Sequence, residues 1–323
     1  NWNPERFNYF TWGLPGKEET LADYAAHGHT MGIAGGRATP LDWEYRGKPV
    51  PEAAIPERQG AKQEATAFHP FDLALKYGII AGTNLQTNHG KFFPEEAYGL
   101  NRRGEEEKPT PLPLPYHPAF HDFSVNLART YAEQYHEYPA YRLMNMNTET
   151  EHHNQPDFSP IGLERARKLF GGEIPKGCEN MYAFKHSTYP GLVKDGVIED
   201  DHPVLRFYRW FWLEGEGFNV MAKDMMKAIK EVDPNLLVFH DPAARMPYMR
   251  DRHDGMNPWD WTYTTPNPLT LTFKIEAIRG FAEPGNDRIV NYVQVLWKQW
   301  TAGAVNLCPS AAVIRLGLLH SSS

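Results

Sequence analysis

The sequence predicts an α/β fold, and within that class a (β/α)8 TIM barrel that is incomplete in this chain. Short apolar runs alternate with amphipathic helical segments along the 323 residues, which predicts strands that pair in parallel. Polar residues follow almost every apolar run. A doubly wound sheet would alternate in the same way, but a barrel draws its site from the ends of many strands and explains this distribution better. The length suits one barrel of about 250 residues with insertions.

The first part of the chain predicts three strands and two helices. Each helix is followed by a glycine that suits the left-handed position after a helix end, Gly28 and Gly78. Each strand is an apolar run that stops at polar residues or at glycine. In chain order these elements are a strand at residues 7–13, a helix at 18–27, a strand at 29–34, a helix at 71–77 and a strand at 79–85.

A polar cluster after the fourth predicted strand is the most informative part of the chain. An amphipathic helix over residues 123–136 and a short turn lead to an apolar strand over residues 141–146. Directly after this strand the sequence changes to amides, carboxylates and imidazoles. In a barrel the chemistry sits at the carboxyl ends of the strands, so this position predicts an active site. The cluster contains Asn147, Glu149, Glu151, His152 and His153.

The second half of the chain continues the alternation. The helical pattern over residues 202–232 contains Gly215 and Gly217, which we expect to bend or split it. Seven strands are counted in all, so we expect the eighth barrel strand to be absent and the sheet edges beside the gap to be open. The remaining elements are a helix at residues 160–170, strands at 235–239, 259–263 and 289–297, a helix at 268–281 and another that starts at 311.

Composition bounds the function. We expect one domain over residues 1–323, with irregular insertions at about residues 37–64, 91–119 and 171–201. The net charge of −7 and the pI of about 6.1 argue against a nucleic-acid partner, and no window reaches the ~18 apolar residues of a membrane span. The two cysteines suit no metal motif, and no metal or cofactor is expected.

The start of the chain bears on its location. The sequence begins at Asn1 rather than at Met, which is compatible with a removed secretion signal. A secreted or periplasmic location is therefore slightly favoured over a cytoplasmic one, without being fixed. The oligomeric state stays open.

Five segments carry a resemblance to a known family. Residues 135–139 read YHEYP, residues 141–149 read YRLMNMNTE and residues 157–160 read DFSP. Further on, residues 207–212 read FYRWFW and residues 256–263 read MNPWDWTY. This series resembles the family 42 glycoside hydrolases, the β-galactosidase-like barrels of the large retaining clan. The resemblance implies a TIM barrel that hydrolyses a β-linked galactoside or a related oligo- or polysaccharide, with Glu149 as the acid/base.

Two departures from the family pattern leave the second carboxylate open. Thr148 separates Asn147 from Glu149, and these two residue types are adjacent in the family. The clan has its nucleophilic glutamate at the end of strand seven, but residues 290–300 contain no carboxylate. Glycoside hydrolysis needs two carboxyl groups. The candidates for the second one are Asp241 and Asp260, and Glu151 is the alternative acid/base.

Aromatic, amide and imidazole residues at the predicted strand ends are the candidate carbohydrate ligands. Flat aromatic faces suit the apolar faces of sugar rings, while amides and imidazoles bond to hydroxyl groups. The chain contains nine tryptophans, for which packing in the core is an equally good interpretation. The candidates are Trp12, Asn84, His89, Asn147, His152, His240, Trp261, Tyr263 and Trp297.

Two other functions stay open. A catalytically silent carbohydrate-binding barrel is favoured by the absence of a carboxylate in strand seven. A metal-dependent barrel hydrolase or isomerase would use the histidines. His27 and His29 have the His-x-His spacing of such enzymes, but they precede strand two, whereas the pair belongs at the end of strand one. Metal analysis of the purified protein separates this last alternative from the others.

Overall fold

The computed structural model describes residues 10–11, 13–34, 44–45, 48–49, 69–85, 93–103, 106–146, 155–179, 199–215, 218–240, 255–256, 259–260 and 292–293. The strands there are β1 (Phe10–Thr11), β2 (Met31–Ile33), β3 (Glu44–Tyr45), β4 (Lys48–Pro49), β5 (Ile80–Leu85), β6 (Leu100–Arg103), β7 (Glu106–Pro109), β8 (Tyr141–Met146), β9 (Leu237–His240), β10 (Gly255–Met256), β11 (Trp259–Asp260) and β12 (Tyr292–Val293). The α-helices there are α1 (Glu18–Ala26), α2 (His69–Lys76), α3 (Pro118–Tyr135), α4 (Pro160–Arg165), α5 (Pro203–Leu213) and α6 (Phe218–Val232). A 3-10 turn covers Glu95–Ala97, and α4 continues into a π-helical turn at Ala166–Phe170.

Six strands form one parallel sheet in the order β1-β2-β5-β8-β9-β10. Each strand is added beside the previous one, and the hairpins β3–β4 and β6–β7 form separate antiparallel ribbons. A doubly wound sheet reverses its strand order at a switch point. The described part of this sheet has no such reversal, so the α/β class is confirmed and the strand order favours the barrel over the doubly wound alternative.

The two faces of the sheet carry different residues. One face packs against α2, α3 and α6 and is called the outer face; Ala81, Met144 and Val238 lie on it. The opposite face, called the inner face, has an apolar cluster made of strand residues. That cluster consists of Met31, Ile33, Leu143, Leu237 and Phe239, with Ile80 packed against it.

Strands β5 and β8 approach each other closely at Gly82. A Cβ atom at this position would lie 2.2 Å from the carbonyl oxygen of Leu143 and 2.4 Å from its Cγ. The register also shifts here, because Ala81 pairs with Tyr141 and Gly82 pairs with Leu143. Arg142 is therefore the extra residue of a β-bulge. Glycine fits at residue 82 because the nearest obstacle is backbone, which cannot move aside without breaking the pairing.

Helix α3 covers the outer face with 18 residues. It begins with Pro118, which needs no N–H partner in the first turn, and Nδ1 of His117 accepts a hydrogen bond from the N–H of Ala119 at 3.3 Å. An ion pair between Arg129 and Glu231, 2.5 Å long, joins α3 to α6 at their edges. The buried residues of α3 include an aromatic and aliphatic stripe at helical spacing. The stripe is Phe120, Phe123, Leu127, Tyr131 and Tyr135.

The predicted split of the pattern over residues 202–232 is confirmed. Helix α5 ends at Leu213 and α6 begins at Phe218. Gly215 lies in the connection, where a Cβ atom would come within 2.8 Å of the indole ring of Trp210. Before this break α5 buries a second apolar cluster around Cys178.

Three segments differ from the sequence-based expectation, and one of them, the insertion expected to be irregular at about residues 37–64, contains the hairpin β3–β4. The strand that pairs with β9 is β10, Gly255–Met256, whereas the sixth strand was expected at residues 259–263. Trp259–Asp260 pair in parallel with Tyr292–Val293, so the segments expected as the sixth and seventh strands are neighbours. Residues 91–119, expected to be irregular, contain the hairpin β6–β7, whose charged sequence gives no hydrophobic period.

We expect Gly82→Ala to lower the free energy of unfolding by about 1–3 kcal/mol, because the added methyl group overlaps the backbone of Leu143. Urea unfolding followed by circular dichroism measures this change. Gly16→Ala is the matched control, since a Cβ atom there meets nothing within 4 Å. Equal effects of the two substitutions would contradict the close approach of β5 and β8.

Candidate functional site

Two asparagines face each other at the carboxyl end of the inner face. Asn84 of β5 pairs in register with Asn145 of β8, which pairs in turn with Phe239 of β9. Nδ2 of Asn145 donates a hydrogen bond to Oδ1 of Asn84 at 2.9 Å. We call these two residues the amide pair. The pair is polar, and the preceding row of the same face is formed by apolar leucines and by glycine.

The row before the amide pair is apolar, and it marks where polar side chains begin on the inner face. Gly82 pairs with Leu143, and Leu143 pairs with Leu237. The next row on the same face, two residues further along each strand, consists of Asn84, Asn145 and Phe239. On β5 and β8 the inner face thus changes from apolar to amide in one step, while β9 stays apolar at Phe239. The change lies toward the carboxyl ends of the strands, the edge where parallel α/β sheets place ligands.

Asn145 is deeply buried for an amide, with 2% of its surface exposed. Its Oδ1 atom has no hydrogen-bond partner among the residues that the structure describes. A buried acceptor without a partner costs about 1–3 kcal/mol. Sequence inspection did not single out Asn145, because it stands inside the apolar run of a strand. Its facing residue Asn84 was predicted as a carbohydrate ligand.

Most of the predicted site residues lie outside the described residues. These are Glu149, Glu151 and Asp241 among the catalytic candidates, and Trp12, His89, Asn147, His152, Trp261, Tyr263 and Trp297 among the carbohydrate ligands. For His240 and Asp260 the structure gives strand pairing: His240 pairs with Met146 and with Met256, and Asp260 pairs with Val293. Asn84 is the predicted site residue whose side-chain contacts are described.

A buried carboxylate, Asp157, joins two loops at the carboxyl edge of the sheet. Its exposed fraction is 0%. Oδ1 accepts hydrogen bonds from the N–H groups of Leu100 and Ser159 at 2.8 and 2.9 Å. Oδ2 accepts from the hydroxyl groups of Tyr116 and Ser159 at 2.5 and 2.6 Å. Four donors therefore surround this carboxylate, which makes it a structural anchor.

The loops that Asp157 joins follow neighbouring strands. Leu100 and Tyr116 belong to the connection after β5, and Asp157 itself belongs to the connection after β8. Glycines make room for the carboxylate, since a Cβ atom would lie 2.4 Å from it at Gly99 and 2.5 Å from it at Gly162. A sequence signal was present in the segment DFSP: Ser159 caps α4 by accepting a hydrogen bond from the N–H of Gly162 at 3.2 Å.

A separate cavity of about 300 Å³ lies among the helices. Tyr116, His121, Arg165 and Glu214 are among its lining residues. The guanidinium of Arg165 stacks over the ring of Tyr116 at 3.9 Å, and Nε2 of His121 lies 3.0 Å from a carboxylate oxygen of Asp224. No strand residue lines this cavity, so it is distinct from the amide pair.

Burial shifts the pKa of two further groups, a thiol and an imidazole, which could otherwise take part in catalysis. Burial raises the pKa of the Cys178 thiol to about 12, with a smaller contribution from Glu179, so this thiol is not a nucleophile at neutral pH. Burial, together with neighbouring His27, lowers the pKa of His29, which stacks on Tyr24 at 4.7 Å between ring centroids. His29 is thus a neutral core imidazole. Across the described part of the chain no group of three or more His, Cys, Asp or Glu side chains is placed to hold a metal ion.

Within the same described residues, no helix has the length and apolar character that a membrane span requires.

Comparison with known proteins shows a likeness of fold. No protein-family model and no curated protein matches the chain. A solved β-galactosidase from the psychrophilic Marinomonas ef1 is similar with a TM-score of 0.54 and 12% identity, over 87% of this chain and 47% of that one. A β-galactosidase from Bacillus circulans sp. alkalophilus is similar with a TM-score of 0.52 and 11% identity, over 85% of this chain and 43% of that one. The chain spans about half the length of these structures, and it shares their glycosidase-like fold.

Asp157→Ala should lower the free energy of unfolding by at least about 2 kcal/mol, because it leaves the N–H groups of Leu100 and Ser159 without their acceptor. Urea unfolding measures the loss. Glu164→Ala removes an exposed carboxylate from the adjacent helix and should change stability by less than about 0.5 kcal/mol. An Asp157→Ala protein as stable as the wild type would show that the carboxylate does not anchor the loops.

The free energy of unfolding should also fall on mild acidification, because His29 takes up a proton more readily in the unfolded chain. The folded protein holds the pKa of this residue below its ordinary value of 6.5, so below pH 6.5 the unfolded chain binds a proton that the folded chain does not. The contribution is complete above pH 6.5 and is lost as the pH falls toward the folded pKa. Urea unfolding at several pH values should show a flatter dependence for His29→Gln. An identical pH dependence in the two proteins would refute the assignment.

Proposed function

We propose that this chain is a glycoside hydrolase whose active site lies at the carboxyl ends of its parallel strands. The observation that carries the proposal is the amide pair, which begins a polar region on the inner face at the edge where Glu149 follows β8. The two structures that it resembles in fold are β-galactosidases. Together with the family 42 resemblance, these points support a β-linked galactoside or a related oligo- or polysaccharide as the substrate.

The proposed scaffold is a TIM barrel. The strands of the main sheet follow one another without reversal, as barrel strands do. Only two residues separate β10 from β11, and β11 pairs in parallel with β12. In the proposed barrel β10 and β11 therefore both belong to the sixth strand, and the seventh contains Tyr292–Val293.

Glu149 is the proposed acid/base. It lies three residues beyond Met146, the end of β8, so chain connectivity keeps its Cα within about 11 Å of the strand end. A general acid requires a pKa raised by burial or by a neighbouring negative charge. Glu151, two residues further on, is the alternative.

The second carboxylate is proposed to be Asp241 or Asp260. Asp241 directly follows β9, which pairs with β8, so it starts from the strand beside the one that carries Glu149. Asp260 lies in β11, on the next strand of the proposed barrel. A separation of about 5–5.5 Å between the two carboxyl groups implies retention, and about 6.5–9.5 Å implies inversion.

One observation favours a second function, that of a carbohydrate-binding barrel without catalysis. Residues 290–300 contain no carboxylate, although strand seven carries the nucleophile in the clan that the sequence resembles. The polar residues there are amides, a lysine and a hydroxyl. In this alternative the aromatic and amide ligands would hold a sugar, and Glu149 would only contribute hydrogen bonds.

We expect Glu149→Gln to lower kcat for an aryl β-galactoside by about 10²–10⁴-fold, since the amide can neither protonate the leaving group nor take a proton from the attacking water. Steady-state hydrolysis of a panel of 4-nitrophenyl β-glycosides measures kcat. Binding of galactose, measured by titration calorimetry, should persist because the side chain keeps its shape. Glu151→Gln is the matched control and should retain most of the activity. Loss of activity in Glu151→Gln alone would reverse the assignment.

Asp241→Asn and Asp260→Asn, assayed separately, should identify the second carboxylate. One of them should lose activity about as strongly as Glu149→Gln, because hydrolysis needs both carboxyl groups. Full activity in both variants would eliminate these two residues. Sugar binding without hydrolysis in the wild-type chain would favour the silent carbohydrate-binding barrel.

A further inference from the structure

We propose that Asn145 is a positioning residue, which orients the amide of Asn84 so that its Nδ2 group donates a hydrogen bond to a hydroxyl group of the substrate. The inference rests on the proposed function for the identity of the substrate. The orientation of Asn84 by Asn145 stands on the geometry of the amide pair alone. Nothing in the sequence pattern marks Asn145 for this role.

The geometry fixes which atoms of the pair are engaged. Oδ1 of Asn84 accepts from Nδ2 of Asn145 at 2.9 Å, so the carbonyl of Asn84 is turned toward β8. A side-chain amide is planar and carries its nitrogen on the other side of Cγ. The Nδ2 group of Asn84 is therefore turned away from Asn145. Among the described residues it has no acceptor, and Asn84 is only partly buried.

Asn145 itself is closed to a ligand. The residue is 2% exposed and its Oδ1 atom is fully buried. It acts on a substrate only through its neighbour, which is what distinguishes a positioning residue from a contacting one. Fixing Asn84 in advance removes the entropy that a free side chain would lose when it binds, and this raises affinity without a new contact.

Stability does not explain an asparagine at this position. The other described inner-face positions of β8 and β9 are Leu143, Leu237 and Phe239. A leucine at residue 145 would extend this apolar cluster and would remove a buried acceptor that has no partner in the described structure. Asn145→Leu also removes the donor to Oδ1 of Asn84, but Asn84 is only partly buried and its carbonyl can bond to water instead, so the replacement should be close to neutral. The amide is therefore best explained by function.

The outer face of the same strands shows what a structural polar pair looks like. Oγ1 of Thr83 and the hydroxyl of Tyr141 lie 2.9 Å apart, and both residues are fully buried. Each of these groups finds its partner within the core, with α2 and α3 packed over the strands. This pair lies one residue away along β5 from the amide pair but on the face that no substrate reaches. It provides the matched control.

The test compares Asn145→Leu with Thr83→Val in the full chain. Asn145→Leu should keep the wild-type melting temperature or raise it, whereas Thr83→Val should lower it by at least about 2 °C because Tyr141 loses its partner. With 4-nitrophenyl β-D-galactopyranoside, Asn145→Leu should raise KM about 3–10-fold, the equivalent of one hydrogen bond. kcat should change less than KM. Thr83→Val should leave KM unchanged.

A double-substitution cycle tests whether Asn145 acts through Asn84. Asn84→Ala should raise KM at least as much as Asn145→Leu, and the double variant should be no worse than Asn84→Ala alone. Additive effects would overturn the proposal. A melting temperature of Asn145→Leu that falls as far as that of Thr83→Val would also overturn it, because Asn145 would then be structural.

An NMR measurement decides the orientation without any substrate. In 13C,15N-labelled protein the three-bond couplings about χ1 of Asn84 should give signals of a single rotamer, and they should average toward mixed rotamers in Asn145→Leu. Unchanged Asn84 signals would overturn the positioning role. If the wild type neither hydrolyses nor binds any galactoside, the proposed function is wrong, and so is the proposed hydrogen bond from Asn84 to a substrate hydroxyl. The NMR result still decides whether Asn145 orients Asn84.

Discussion

The pairing of β5 with β8 is the constraint on which the rest of the described structure depends. These strands meet so closely at Gly82 that no side chain fits between them. Their register brings Asn84 opposite Asn145, and β9 then continues the same rows with Leu237 and Phe239. Helices α3 and α6 pack over the outer face of these strands. A shift of one residue in this pairing would exchange the faces and move the amide pair into the helix-packed core.

The two faces divide stability from function. On the outer face, aromatic and aliphatic side chains fill the space between sheet and helices, and the polar pair of Thr83 and Tyr141 is satisfied within itself. On the inner face the packing becomes polar at its carboxyl end, and Asn145 retains an acceptor that no described residue satisfies. Proteins commonly give up some stability where a site needs a particular chemical group. The amide pair lies on the face where a chemical group is retained at some cost in stability.

The loops at the carboxyl edge are held by polar contacts rather than by a hydrophobic core. Asp157 collects four hydrogen bonds from two connections that follow neighbouring strands. Bonds to a carboxylate are stronger than bonds between neutral groups, so one residue holds together a hairpin-bearing loop and the start of α4. A rigid scaffold with loops fixed in this way suits a site built from loop residues, which is where the proposed acid/base lies.

The sequence by itself determined most of the helices and strands of the main sheet. The helix predicted at residues 123–136 is α3, the strand predicted at 141–146 is β8 with the same bounds, and the break near Gly215 separates α5 from α6. Hydrophobic period, glycine and proline are local signals, so these features follow from neighbouring residues. The tertiary structure decided which residues meet. A strict alternation through β8 would place Tyr141 and Asn145 on one face.

The bulge at Arg142 puts these two residues on opposite faces instead: Tyr141 lies under the helices, while Asn145 faces the inner side beside Asn84. The burial of Asp157 and the pairing of β10 with β9 were decided in the same way. Each of these depends on contacts between segments that lie far apart in the sequence. A local pattern therefore cannot encode them, since the register and the partner exist only once the strands are paired.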